Sequence, residues 1–239
     1  MNRPARRWPI AYLLLTTHLP FLVFCLAGLL VVAGLVLGGV AVFGAVRISA
    51  LDVGGQLLRW LALGYGYYLL RTMLPMVLVH GRTRREYLCQ VPVFQLITTG
   101  VLAGATTLGY AAESLLYRAA GWPHQLAEAR LYSDTTDHLV IFASYWMMLL
   151  GWMATGSFLG AAFYRLRAGG VLALPVALLL LAVNGLSNGV LSLPFIKLDL
   201  LPQDLGVPAA LTLGAASTLV AVGLCWLLAR DMPLRTRTS

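Results

Sequence analysis

The sequence predicts an all-α, polytopic membrane protein: six transmembrane helices preceded by an interfacial helix, with both termini in the cytoplasm. Three observations support this prediction. Hydrophobic residues make up 59% of the 239 positions and charged residues 11%, whereas soluble proteins carry about 25% charged residues. Six apolar runs each reach the length of about 20 residues that a helix needs to cross a bilayer. The basic residues gather in alternate connecting segments.

The first predicted element is an interfacial segment at residues 1–20. Three arginines within the first seven positions are followed by Trp8 and an apolar stretch, and Pro20 closes the segment. Basic and aromatic side chains favour the headgroup region of a membrane. We therefore expect this segment to lie along the membrane surface, in contact with lipid, before the first span begins.

The predicted transmembrane domain covers residues 21–230, and residues 231–239 form a cytoplasmic tail. Its six spans are 21–46, 53–79, 91–116, 139–164, 169–191 and 206–229. Two prolines interrupt the segment that follows the fifth span, beyond Asn184 and Asn188. Broken backbone at membrane depth requires protein or water to satisfy its polar groups. We expect a bent or re-entrant piece at this point.

The distribution of basic residues predicts the orientation. Eleven of them lie in the N-terminal segment, in the loops after the second and fourth spans, and in the tail, whereas the opposite face has four. Short loops rich in Lys and Arg stay in the cytoplasm. Arginine outnumbers lysine sixteen to one, which is typical of GC-rich bacterial genomes. The sequence thus predicts a multi-pass protein of the bacterial plasma membrane.

Glycines spaced four residues apart recur in four of the predicted spans. The pairs are Gly34 and Gly38, Gly100 and Gly104, Gly156 and Gly160, and Gly185 and Gly189. This spacing lets helix backbones approach closely in lipid. We expect these spans to pack tightly, either within one subunit or between two.

Three ionisable residues lie inside predicted spans, where charge is costly: Arg59, Arg71 and Glu113. At 1.5 Å per residue, Arg59 lies about 10 Å and Glu113 about 8 Å below the outer surface. These depths suit an ion pair between the two residues, and they equally suit two side chains in the outer headgroup zone.

Arg71 lies deeper than the other two. It precedes His80 by nine residues, which places it about 13 Å from the cytoplasmic surface. An unpaired arginine near the bilayer centre costs roughly 2.5 to 3.5 kcal/mol. Gly64, Tyr67 and Tyr68 share its helix face. A transport cavity, a subunit interface and ordinary internal packing are all compatible with such a face.

Enzyme and nucleic-acid functions have no visible site in this sequence. There is no H-E-x-x-H motif, and the only lysine, Lys197, is not part of a Walker A loop. The basic residues alternate with apolar runs, which favours a membrane surface over a nucleic acid. We expect no catalytic residue, no metal site and no cofactor in this chain.

The segment between the second and third spans contains a helix-start motif. Thr83 and Glu86 form a T-x-x-E capping box, in which each side chain bonds the amide of the other residue. Gly81 gives a flexible entry, and Pro92 falls where the next span begins. The sequence predicts a short basic helix at residues 82–90. It is either a positive-inside anchor or a docking element.

This motif and the overall topology resemble the membrane subunit of the type-2 ABC exporters. In that class the loop between spans 2 and 3 commonly reads Gly-x-Thr-Arg-Arg-x-aromatic, which residues 81–87 match. The resemblance implies a permease that pairs with a second, identical or related permease subunit and with separate ABC ATPase subunits, which would hold ATP and magnesium. The substrate would be an amphipathic drug, an antimicrobial peptide or a lipid.

The resemblance also implies roles for particular residues. The helix at residues 82–90 would be the coupling helix that docks on the ATPase. Its contacts would be Arg82, Thr83, Arg84, Arg85, Glu86 and Tyr87. The candidates for the substrate pathway and for intramembrane polar contacts are Arg59, Tyr67, Tyr68, Arg71, Glu113, Asn184 and Asn188.

Two other functions remain open at this point. The first is an ion-coupled secondary carrier or channel that uses Arg71 and Glu113 directly. A single membrane carboxylate and the lack of an internal repeat count against it. The second is a membrane scaffold or immunity protein with no transport activity of its own.

Overall fold

The computed structural model describes residues 8–43, 49–122, 131, 137–185, 192–193, 196–197 and 206–231. The helices are α1 (Pro9–Phe43), α2 (Ala50–Tyr68), a π-helix (Leu69–Met73), α3 (Leu74–Val79), α4 (Arg84–Ala120), α5 (His138–Leu166), a 3₁₀-helix (Arg167–Ala173), α6 (Leu174–Gly185) and α7 (Val207–Ala229). Two short strands, β1 (Ser192–Leu193) and β2 (Ile196–Lys197), pair antiparallel. The predicted helical class is confirmed for the described part of the chain.

Within the described residues, four helical segments are long and apolar enough to cross a membrane. They are Pro9–Val40, Arg84–Ala120, His138–Gly185 and Val207–Ala229. The helical stretch at residues 50–79 carries Arg59 and Arg71 and is not among them. These apolar helices suggest a membrane protein, as the composition predicted.

The 48-residue segment His138–Gly185 is a helical hairpin. Gly170 packs against Phe163, and Asn184 packs against Gly151, so α6 runs antiparallel to α5. The chain reverses at Arg167, whose φ of 53° lies in the left-handed region. A straight helix of that length would measure about 72 Å, more than twice the thickness of the hydrocarbon core.

Helices that follow one another along the chain alternate in direction, and this places particular helix ends together. Tyr87 at the start of α4 bonds Leu69, the residue that follows the end of α2. Arg165 at the end of α5 bonds the carbonyls of Leu227 and Leu228 at the end of α7. The start of α4 lies antiparallel to α2, so one end of the bundle collects the start of α4 and the end of α2.

Helix α5 is the centre of the subunit. Residues 151–162 are all buried. A Cβ on Gly156 would collide with the Leu63 carbonyl of α2, and one on Gly160 would crowd the Tyr67 carbonyl. Close backbone approach through small residues is the usual way in which helices pack in lipid. The close packing predicted for the Gly156 and Gly160 pair is confirmed, and it occurs within the chain.

Two predicted helix boundaries are wrong. Helix α1 continues through Pro20, so the interfacial segment at residues 1–20 is not separate from the first span; residues 1–7 lie outside the described part. Helix α4 continues through Pro92, so residues 82–90 are not a separate short helix. A proline removes one backbone hydrogen bond, and neighbouring helices compensate for that loss in membrane proteins.

Buried side chains flank both prolines and explain why the helices continue. Leu22 and Leu26 follow Pro20, and Val91 and Phe94 flank Pro92; all four pack in the common core. Packing of these side chains outweighs the loss of one hydrogen bond. The basic segment is therefore the first part of a helix of 37 residues.

The fifth predicted span, 169–191, is also different in the structure. A 3₁₀-helix precedes α6, and α6 ends at Gly185. Asn188 lies outside the described residues. The β1 and β2 pair reverses the chain beyond this point, with Ser192 opposite Lys197. This strand pair occupies the place where the sequence predicted a bent or re-entrant piece.

Candidate functional site

Helix α4 begins with the predicted cap. Thr83 has extended backbone angles, and its hydroxyl accepts a hydrogen bond from the Glu86 amide at 3.2 Å. Gly81 has a φ of 78°, which glycine adopts without strain, and it ends the preceding helix. The Glu86 carboxylate accepts from Arg82 at 3.1 Å. It turns to this side chain instead of the Thr83 amide that the capping box predicted.

The start of α4 exposes one face, which we call the basic face. It consists of Arg82, Thr83, Arg85 and Cys89. Arg84 is half-buried, and its Nε has no hydrogen-bond acceptor within the described part of the chain. Arg82, Arg85 and Cys89 are spaced three and four residues apart, so these three side chains lie on one side of the helix. The basic face thus offers cationic groups to an acidic partner surface.

The opposite face of the same turns is buried. Tyr87 is 0% exposed, and its hydroxyl donates to the Leu69 carbonyl at 2.7 Å. The docking contact predicted for Tyr87 is therefore unavailable. Tyr87 belongs to the buried core cluster, on the side of α4 that faces the other helices. Its side chain joins α4 to the end of α2 instead.

Gln90 joins α4 to a third helix. Its side-chain oxygen accepts from the amides of Ile10 and Ala11 at 2.8 and 3.0 Å. The first amides of a helix lack partners within that helix, so Gln90 caps α1 from outside. Sequence reasoning missed this contact, because the residues lie about 80 positions apart.

The π-helix Leu69–Met73 is a local widening of the second helical stretch. The Leu74 amide bonds the Leu69 carbonyl, five residues back. The Leu69 carbonyl therefore accepts both this amide and the Tyr87 hydroxyl. Single π-turns occur frequently at functional sites. This one contains Arg71, and the hydrophobic pattern of the sequence gave no sign of it.

Arg71 is exposed on the outside of the subunit. Its guanidinium lies over the Tyr67 ring, 5.3 Å from the ring centroid. Among the described residues, no carboxylate pairs with it. Tyr67 lies one turn nearer the helix N-terminus, which is the direction that helical side chains normally take. The charge therefore points away from the Arg82 end of the bundle.

The tyrosines near Arg71 in the sequence contact rings of two other helices. Tyr68 contacts the His18 ring of α1 at 6.2 Å between centroids, and Tyr65 contacts the same ring at 5.8 Å. The Tyr65 hydroxyl is buried and has no hydrogen-bond partner within the described part. On the other side, Tyr67 packs edge-on against Phe163 of α5. The structure thus places Arg71 against Tyr67, while Tyr68 contacts His18 of α1.

The other ionisable candidates lie toward the opposite end of the bundle. Arg59 lies over the Trp152 ring at 5.4 Å. Glu113 is buried and accepts from the Ser49 hydroxyl at 2.7 Å. The ion pair between Arg59 and Glu113 stays a prediction. The remaining polar candidate, Asn184, is buried and donates to the Met147 carbonyl.

A buried chain of hydrogen bonds connects three helices in the interior. Gln95 of α4 donates to the Ser157 hydroxyl at 2.7 Å, and Ser157 donates to the Gly66 carbonyl of α2 at 3.1 Å. Polar side chains commonly link helices in this way in membranes. Sequence reasoning did not single out these residues, since lone Gln and Ser side chains carry no motif.

Comparisons with known proteins leave the family open. No family model, no curated protein and no solved structure matches the chain. The resemblance to the type-2 ABC exporters therefore rests on the Gly81 to Tyr87 motif and on the predicted topology.

Proposed function

We propose that this chain is the membrane permease subunit of an ATP-driven ABC exporter of the bacterial plasma membrane. It would work as a dimer, coupled to separate ATPase subunits that bind ATP and magnesium. The observation that supports this proposal best is that the two faces of α4 differ in its first turns. One face exposes Arg82 and Arg85, while the opposite face bonds α2 through Tyr87 and α1 through Gln90.

A six-span topology agrees with the directions of the helices. The α5 and α6 hairpin accounts for two crossings, because the two helices are antiparallel. The stretch at residues 50–79 adds one crossing between α1 and α4. With α1, α4 and α7 the total would be six, and both termini would then lie on one side.

The arginines give this topology an orientation. Arg82, Arg85, Arg165 and Arg230 lie where α3, α5 and α7 end and α4 begins. The positive-inside rule assigns such an end to the cytoplasm. The basic face would then be accessible to a cytoplasmic ATPase.

Coupling follows from the bonds of the first turns of α4. A partner that pulls or pushes the basic face moves Tyr87 and Gln90 with it, because all three belong to one continuous helix. Tyr87 would pass the movement to the π-helix, and Gln90 would pass it to the start of α1. The substrate, an amphipathic drug, antimicrobial peptide or lipid, would cross between two subunits along the exposed Arg71.

Purification from the native membrane in mild detergent, with mass spectrometry of the associated chains, tests the class directly. We expect a soluble partner with a Walker A motif and two permease subunits for each complex. A chain that purifies alone and moves substrate under an ion gradient contradicts the proposal. That result would favour an ion-coupled carrier that uses Arg71 and Glu113.

A double substitution at the basic face tests the docking role. In Arg82→Ser with Arg85→Ser, we expect substrate-stimulated ATP hydrolysis by the complex to fall at least tenfold, since the cationic contacts are gone. Thermal unfolding of the purified chain should change little, because both side chains are exposed. Arg230→Ser is the matched control, an exposed arginine at the same end that pairs with its neighbour Asp231. Unchanged stimulation in the double variant would overturn the docking role.

Tyr87→Phe separates docking from transmission. This change removes the bond to the Leu69 carbonyl and leaves the basic face intact. We expect the ATPase to remain bound while transport per ATP hydrolysed falls severalfold. Tyr110→Phe is the control, because it removes a buried hydroxyl contact with Tyr145 at the other end of the bundle. An equal effect of both variants would show a loss of stability alone.

A further inference from the structure

We propose that Arg71 binds the phosphate head group of an anionic amphiphile, with Tyr67 and Tyr68 beside the head group and α1 along the apolar body. This inference rests on the proposed transport function and narrows its substrate to one class. Four features of Arg71 support it: its depth, the direction of its side chain, its hydrogen-bond donors and the aromatic rings near it.

The position of Arg71 requires a compensating group. Nine residues separate it from His80, which is about 13 Å along a helix axis. Its guanidinium lies over Tyr67, one turn farther from that end. It therefore does not reach the cytoplasmic headgroups by extending outward. A charge at such depth must meet protein, water or an anion.

Within the described part of the chain, the contact with Tyr67 leaves the hydrogen-bond donors of Arg71 without an acceptor. A cation over an aromatic ring uses the face of the guanidinium, whereas its five N–H groups point outward in the plane. Two of them match two oxygens of a phosphate in a bidentate pair. Among the described residues no carboxylate takes this place. The neighbouring Thr72 is also exposed and adds a hydroxyl to the same surface.

The surroundings of Arg71 suit an amphiphile better than a free anion. Tyr68 contacts His18 of α1, and Phe21 follows His18 by one helical turn. Phe21 and Phe24 are 55% and 76% exposed. A polar head at Arg71 would thus continue into an apolar surface on α1. The charge of the site selects an anionic head, and the adjoining surface selects an alkyl body.

The π-helix connects this site to the basic face. Arg71 lies within Leu69–Met73, and the first residue of that segment accepts the hydroxyl of Tyr87. An amphiphile at Arg71 therefore lies two residues from the bond that joins α2 to α4. Occupancy of the site and movement of the basic face would act on the same short segment.

The test measures binding to the purified chain in neutral detergent, without ATPase subunits, by native mass spectrometry and calorimetry. The probes are dodecyl phosphate, dodecyltrimethylammonium with the same alkyl chain, and inorganic phosphate. We expect dodecyl phosphate to bind at least tenfold more tightly than either of the other probes. Arg71→Gln should reduce its affinity about tenfold. Arg118→Gln, an exposed arginine at the opposite end, should leave it unchanged.

Three outcomes would overturn the inference. Equal binding of the cationic probe would remove the role of charge. Equal binding of inorganic phosphate would identify a free anion and remove the role of the apolar body. Unchanged affinity in a folded Arg71→Gln chain would place the site elsewhere. If that variant does not fold, the comparison of probes on the unmodified chain decides. A missing ATPase partner would refute the exporter and leave this binding intact, so the two failures are distinguishable.

Discussion

Gly156 and Gly160 on α5 share their spacing with Gly34 and Gly38 on α1, but the two pairs have different surroundings. On α5, the glycines lie directly against the backbone of α2. On α1, a Cβ at either glycine would meet nothing within 4 Å. The same sequence pattern therefore marks a helix that is able to approach another closely, and the rest of the chain decides whether it does so.

The two helices differ along most of their length. Residues 151–162 of α5 are all buried, whereas no residue from 27 to 40 of α1 is. Between residues 9 and 40, the fully buried side chains of α1 lie from Ile10 to Leu26, and the partly buried Leu30 also packs against the core. Helix α5 thus holds the chain together, while most of residues 31–40 is exposed.

The largest expected effect is that of Gly156→Leu. The new side chain would meet the Leu63 carbonyl and force α2 and α5 apart. Overpacking in a core typically costs up to about 3 kcal/mol, and here the obstacle is backbone. We expect a loss of that size in the free energy of unfolding, measured by denaturant titration in detergent, with a low yield of monodisperse protein.

Gly34→Leu is the matched control for that prediction. Because the position is open, its unfolding free energy should stay within about 0.5 kcal/mol of the unmodified chain. A severe loss at Gly34 in the isolated subunit would break the comparison, since it would mean that the second half of α1 packs within the chain.

A smaller effect is expected at the contact between α4 and the start of α1. Gln90→Leu removes the two caps on the amides of Ile10 and Ala11. Loss of an N-terminal cap costs about 1 kcal/mol. We expect faster hydrogen exchange at these two amides, with little change in α5. Cys89→Ala alters an exposed neighbour and serves as the control. Unaltered exchange at both amides in Gln90→Leu would show that other contacts fix α1.

The smallest effect concerns the polar link through Ser157, which connects α4, α5 and α2. Ser157→Ala breaks the connection from Gln95 to the Gly66 carbonyl. Hydrogen bonds between membrane helices average about 0.6 kcal/mol, so the unfolding free energy should fall by about that amount. Ser114→Ala is the control, because its hydroxyl bonds a carbonyl of its own helix. A loss as small as that of the control would show that glycine packing alone joins these helices.

Features that depend on residues close together in the sequence could be predicted, whereas contacts between residues far apart in the sequence could not. The cap at Thr83 depends on two residues three positions apart, and the close approach at Gly156 depends on the lack of a side chain at that one residue. Both were predictable. The contacts of Gln90 and Tyr87 join residues about 80 and 18 positions apart. No periodic pattern specifies which helix a buried glutamine will reach.

The errors at Pro20 and Pro92 have a different origin. Proline is a strong signal for the end of a helix in water, where a broken helix is solvated at little cost. Between packed helices the surrounding side chains keep the helix intact, as Leu22 and Val91 do here. The position of Tyr87 was wrong for a related reason: the motif specified residue types and did not say which face was buried.

Because α4 is continuous through Pro92, the angular positions of its side chains around the helix axis are fixed relative to one another. Its 37 residues form one rod about 55 Å long, so the azimuth of Arg85 is fixed relative to that of Gln95. Inserting one residue between Cys89 and Gln95 would rotate the basic face by about 100° around the axis. Inserting seven, close to two full turns, would nearly restore it. If the connection were flexible, neither insertion would change the orientation of the basic face. A rigid helix transmits torque, so that orientation depends on the number of residues inserted.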